Sequence, residues 1–140
     1  MGNLALRSKI DALEDSMRQH EECVGPEAFE LNHFFTNNDL YAREMIIPKG
    51  AIVIGKIKKE EHISVISAGL VTEMTEAGIQ HIRAPYTMVS LPGTKRVVIA
   101  HEDTVWTTIH ISKEKDIDKM VDAIAVDSHE AYHALMEDLS

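Results

Sequence analysis

One cysteine, Cys23, is present in 140 residues. No disulfide can close within the chain, and a reducing compartment is the natural expectation. No apolar run reaches the roughly 18 residues that a membrane-crossing helix needs, and the first residues lack the apolar core and small-residue cleavage site of a signal peptide. No membrane partner is expected, and the expected setting is the inside of a cell. Basic residues are also short: 14 Lys and Arg stand against 23 Asp and Glu, a formal net charge of -9. A nucleic-acid polymer needs a basic surface, so it is not an expected partner. A small anion held in an enclosed pocket remains compatible with the acidic total. Nucleophile elbow, phosphate loop and catalytic triad are all missing, so nothing of this kind points to catalysis.

What is there is ordinary globular composition, 44% hydrophobic and 26% charged, in a length that suits one domain with a modest core. Its centre is rich in β-branched residues. Ile52 to Ile54, Lys56 to Lys58, His62 to Ile66 and Val71 to Met74 read as short strands, with Gly69 at a turn. The pattern repeats through His81 to Arg83, Thr87 to Val89, Val97 to Ile99 and Val105 to His110, broken at Ala84-Pro85, Pro92-Gly93 and His101 to Asp103. Six to eight strands at this spacing imply a small sandwich or barrel. Leu40 to Ile47 is a further strand.

Three regions follow. Residues 1–24 are expected to form an amphipathic helix, since Leu6, Ile10, Leu13 and Met17 share a stripe and Gly25-Pro26 stops it. That stripe suits docking on the β domain or oligomerisation. Residues 25–112 form the β domain, entered by an irregular arm whose Phe29, Leu31, Phe34 and Phe35 plug the barrel or a neighbouring subunit. Residues 113–140 are helical: Ile117, Met120, Val121, Ile124 and Ala125 lie at helical spacing, Asp127-Ser128 breaks the run, and a second helix covers His129 to Leu139.

Several groups could carry chemistry. His129-Glu130-Ala131-Tyr132-His133 is a literal H-E-x-x-H string, which in zinc proteases sets two imidazoles one helical turn apart. Here it lies on a terminal helix with no third histidine after it, and adventitious metal binding is the more realistic outcome. His62, His101 and His110 are a conceivable metal trio. Trp106 and Tyr86 could stack on a base or sugar, although a single Trp in a small β domain is usually core. Glu102-Asp103 could act as an acid/base pair or assist Arg96 or Lys95.

The spacing of the β block resembles the two cupin motifs. Gly50, five residues, Lys56-Ile57-Lys58, three residues, His62, six residues and Gly69 follow the first motif, with lysines where two ligand histidines stand and histidine for the glutamate. Pro85, five residues, Leu91-Pro92-Gly93, two residues, Arg96, three residues and Ala100 follow the second, with arginine for its ligand histidine. The runs Leu40 to Glu44, Gly55 to Ile57, Glu61-His62, Pro92 to Arg96 and Glu102 to His110 are similar to small cupin-like proteins of tailed bacteriophages and prophages, over about residues 40 to 112.

The resemblance implies a mainly β, cupin-like double-stranded β-helix barrel with flanking N- and C-terminal helices. It implies that Lys56, Lys58, His62 and Arg96 face one pocket with at least three formal positive charges, His62 donating a hydrogen bond. Such a pocket favours an anion, a nucleotide-type molecule among the candidates, over a metal, because an ammonium offers no lone pair. No cofactor and no catalytic residue is expected. The implied protein is a phage-encoded, non-enzymatic binder, homo-oligomeric, in the host cytoplasm or the virion. The alternative is a structural virion protein or an inhibitor of a host protein, and a metal-dependent cupin enzyme stands third. On a blander reading the bases are solvated strand ends, with Lys58 to Glu61 in a turn and Arg96 paired to Glu102 or Asp103.

Overall fold

A computed structural model describes residues 23–24 and 29–139. Eleven strands come first: β1 Cys23–Val24, β2 Glu30–Phe35, β3 Leu40–Ile47, β4 Ile52–Ile54, β5 Ile57–Lys58, β6 His62–Ala68, β7 Leu70–Thr75, β8 Gly78–Arg83, β9 Tyr86–Ser90, β10 Val97–Ala100 and β11 Thr104–Ile111. Helix α1 Ile117–Ile124, strand β12 Ala125–Val126 and helix α2 His129–Leu139 complete the order.

Two five-stranded sheets result, β1-β4-β10-β7-β8 and β2-β3-β11-β6-β9, with β5 and β12 as a separate pair. All pairings are antiparallel except β1 with β4. Period-two alternation decides which side of each strand is inside. Along β11, Thr104, Trp106, Thr108 and His110 are buried while the residues between them are less so. Ile47, Ile66 and Trp106 from one sheet meet Val53, Val71, Ile82, Val98 and Ala100 from the other in a single core. Burial of each large apolar side chain there contributes roughly 1.5–3 kcal/mol.

The tight β6–β7 reversal needs Gly69. Its φ is +110°, and a Cβ there would lie 2.3 Å from Thr104 Oγ1 and 2.8 Å from the Thr104 Cα. A side chain at this position meets both backbone strain and a clash. α1 starts at Asp116, whose carboxylate accepts from the Asp118 amide at 2.9 Å. Its Met120 and Ile124 are buried with Tyr41 and Ala125 in a second cluster.

Three expectations change. The arm holding the phenylalanines is not irregular: residues 30–35 form β2, paired with β3 from Glu30↔Ile46 to Phe35↔Tyr41. As an edge strand with Ala42 beside it, β2 turns Phe34 outward, 54% exposed, and only Phe29 packs on the main core. Ala125, placed in a helix by spacing, belongs to β12, because the chain turns extended there to pair with β5. The N-terminal helix lies outside the described residues apart from its end, where Cys23 and Val24 form β1. No helix of the described residues is long and apolar enough to cross a membrane.

Candidate functional site

The inward row of β3 runs Tyr41, Arg43, Met45 and Ile47, and it sets a guanidinium among apolar neighbours. Arg43 is only 7% exposed. Across the core, β4 leads through Gly55 into β5, whose Lys56-Ile57-Lys58 stretch buries Ile57 completely and turns both lysines to the opposite side. The Pro92-Gly93 turn is tied to this segment by the Gly93 amide, which donates to the Lys58 carbonyl at 3.0 Å. It delivers Thr94 and Arg96 to the same place.

A cavity of about 50 Å³ results, and Lys56, Lys58, His62 and Arg96 all line it. Arg43, Thr94, Trp106 and Thr108 line it too. An open groove of about 460 Å³ at the β8 and β9 edges shares Leu91, Thr94 and Arg96 with the cavity. The four residues chosen from sequence are thus brought together, while Arg43 was missed. Its signal was a charge standing in an otherwise apolar alternating row.

The charges differ from expectation. Arg96 does not reach Glu102 or Asp103: its Nε lies 2.6 Å from Glu73 Oε2, its Nη2 donates to Ser90 Oγ at 3.1 Å, and its guanidinium sits 5.3 Å from the Trp106 ring centroid. Glu102 faces Arg83, and Asp103 accepts from the Lys49 amide. The reason is topological, since antiparallel β10 and β7 set Val98 opposite Glu73. Lys56 pairs with Asp127 at 2.9 Å. Two of the formal charges that line the cavity are thus met by carboxylates.

Lys58 is the cation left over. Its amine donates to the Lys56 carbonyl at 3.4 Å, and no carboxylate of the described residues pairs with it. Burial, and after it Arg43, Arg96 and Lys56, push its pKa from 10.5 down to about 7. This lysine is no part of a solvated turn.

His62 is lowered to about 4, by burial and then by Lys58, Arg96 and Arg43, against a raising hydrogen bond to the Glu60 carbonyl. It is neutral at pH 7. A carbonyl can only accept, so the Nδ1–H at 3.2 Å from Glu60 O is the donor. Buried Nε2 then carries a lone pair and has no partner. His62 accordingly offers the site an acceptor, where a donor is expected from the sequence.

The other histidines separate. His110 stacks on His62 with centroids 4.6 Å apart and bonds Thr108, and burial first, then His62, Lys58 and Arg43 lower it to about 3. His101 is on the other sheet, against Thr72. In the H-E-x-x-H string, His129 is buried against Glu76 while His133 is exposed. The two imidazoles do not converge.

No protein-family model and no curated protein matches the sequence. Solved structures do match in shape. KdgF from Halomonas sp. superposes with a TM-score of 0.51 at 16% identity, over 64% of this chain and 82% of that one. A cupin-2 domain containing protein from Shewanella frigidimarina gives 0.50 at 11% identity, over 71% and 91%. An RmlC-like cupin from the same organism gives 0.50 at 15%, over 63% and 88%. The chain has the cupin fold.

Cupin proteins commonly hold a metal through imidazoles at the motif positions, and the donor set here does not fit one. Lys56, Lys58 and Arg96 occupy those positions. A divalent ion would have one imidazole nitrogen to bind and two guanidiniums beside it, and like charges in a low-dielectric cavity repel. No cluster of three or more His, Cys, Asp or Glu side chains suited to a metal occurs among the described residues. The fold is that of a cupin, and cations stand at the positions where the motif has imidazoles.

Proposed function

We propose that the protein is a non-enzymatic binder of a small anion held between Arg43, Lys58 and Arg96. The observation that carries this reading is Lys58, an amine with no carboxylate partner among the described residues, lining a cavity with two guanidiniums. An incoming anion supplies the cavity with the counter-charge that it lacks among the described residues. The volume of about 50 Å³ corresponds to roughly four water-sized positions. A carboxylate or phosphate matches that size, and a nucleotide does not. The resemblance to phage and prophage proteins is the reason to look for this binding in the host cytoplasm or the virion.

Calorimetric titration with acetate and with inorganic phosphate tests the reading. Arg96→Ala and Lys58→Ala are each expected to weaken binding at least about tenfold, the worth of one charge-assisted hydrogen bond. Unchanged affinity in both variants would sink the assignment.

A second reading, an interaction protein, has support of its own on the outer face of the β2-β3-β11-β6-β9 sheet. Phe34, Ala42, Ile109, Ile63 and Val89 stand in register in one row across all five strands. Val89 is 56% exposed, and Ile111, beside Leu40 in the next row, is 73% exposed. A sheet apolar on both faces is one that covers both. We take the occupant to be a second copy, since a flat row of this kind is self-complementary about a twofold axis. Light scattering is expected to give a dimer for the native chain and a monomer for Ile63→Glu; a native monomer at micromolar concentration excludes it.

A further inference from the structure

We propose that Lys58 captures a two- or three-carbon 2-oxo acid reversibly as an imine, with the acid's carboxylate held by Arg43 and Arg96. The proposal rests on the anion-binding reading and names the class of anion.

An amine acts as a nucleophile only when it is unprotonated, accessible and not tied to an acid. The acids near the cavity are already committed, Glu73 to Arg96 and Asp127 to Lys56. Lys58 keeps one long bond to a backbone carbonyl. Its burial and then its cationic neighbours lower its pKa to about 7 and favour the neutral form, so near neutral pH far more of the Lys58 amines carry a lone pair than those of an ordinary lysine. Lys56 at the rim has Asp127 instead, and Lys95 does not line the cavity.

Addition of an amine to a carbonyl moves a proton from nitrogen to oxygen, and the site holds a group that can relay it. His62 gives its Nδ1–H to the Glu60 carbonyl, and its buried Nε2 lone pair is unpartnered. The nitrogen lone pair of Lys58 forms the C–N bond while the carbonyl π pair moves to oxygen, and the proton that nitrogen then loses passes by way of His62 Nε2 to that oxygen. The resulting carbinolamine expels water as the C=N bond forms. Amine and oxo acid thus give imine and water with no change of oxidation level, and hydrolysis returns both.

Size and charge select the acid. Roughly four water-sized positions accommodate the five heavy atoms of glyoxylate, and about the six of pyruvate. Arg96, whose Nε and Nη2 are held by Glu73 and Ser90, has Nη1 to offer the carboxylate, and Arg43 adds a second positive charge beside it.

The test uses glyoxylate and pyruvate as probes, with cyanoborohydride to reduce any imine to a stable secondary amine. Intact-mass and peptide analysis is expected to show one carboxymethyl or carboxyethyl group per chain, on Lys58, formed at pH 7 at least about a hundredfold faster than on exposed lysines. Lys58→Met and Lys58→Arg are expected to remove this fast phase, the arginine variant keeping the charge. Acetate, which has the carboxylate and no carbonyl, is expected to compete.

Label spread over surface lysines, or a fast phase that survives in Lys58→Met, overturns the imine. If acetate or phosphate binds by calorimetry and no fast trapping occurs, the imine fails while the anion pocket stands. If none of them binds, both fail.

Discussion

Lys58→Met is expected to stabilise the protein by about 2–5 kcal/mol at pH 6 and to lose that advantage by about pH 10.5. The pKa of Lys58 falls from 10.5 unfolded to about 7 folded. Each tenfold change in proton affinity is worth about 1.4 kcal/mol, which sets an upper bound of about 5 kcal/mol, and the partly exposed side chain lowers it. Below pH 7 the amine is charged in both states and the native protein bears the whole penalty. Between 7 and 10.5 the unfolded chain binds the proton that the folded one has released, so stability of the native sequence rises with pH. Above 10.5 the amine is neutral in both states. Urea unfolding of both proteins from pH 6 to 10 measures the difference, and a difference that stays constant over that range contradicts the buried, unpaired placement of the amine.

Arg96→Met is expected to cost about 3–5 kcal/mol, because it leaves a buried carboxylate without its counter-charge. Glu73 is 6% exposed, and its Oε2 is 2.6 Å from Arg96 Nε. The substitution also removes the Ser90 bond and the contact with Trp106. Adding Glu73→Met is expected to return most of the loss, since an apolar pair of similar volume has no charge to desolvate. A single variant within about 0.5 kcal/mol of the native protein would falsify the ion pair as a structural element. The same arginine braces the cavity, so its effects on ligand and on folding have to be compared in the double variant.

Much of this arrangement is legible in the chain. The breaks at Gly69, Ala84-Pro85 and Pro92-Gly93 fall between strands as read, and β6, β7, β10 and β11 occupy the β-branched runs. Motif spacing led to Lys56, Lys58, His62 and Arg96 in one cavity, because it encodes where the inward positions of successive strands meet. The partner of Arg96 was not legible. Glu102 and Asp103 are nearer in sequence, and Glu73 comes within reach only through the pairing of β10 with β7. The role of His62 was hidden for a different reason, since its tautomer follows from a backbone carbonyl two residues away. β2 escaped because a strand with aromatics on both faces has no clean alternation, and Arg43 because one charge in a mixed strand resembles a solvent-facing residue.

β5 pairs with β12, Ala125 opposite Lys58, and with neither five-stranded sheet among the described residues. The Lys59 amide donates to the Ile124 carbonyl at 2.8 Å, and Asp127 holds Lys56. The wall that carries Lys58 is therefore fastened to the segment after the last long strand, while the sheets supply the opposite wall. Selection cannot act on that wall alone. Residues 113–127 hold β5 in place and also bury Met120, Ile124 and Ala125 against Tyr41, so a change of ligand that came through this segment would have to keep a core cluster intact at the same time.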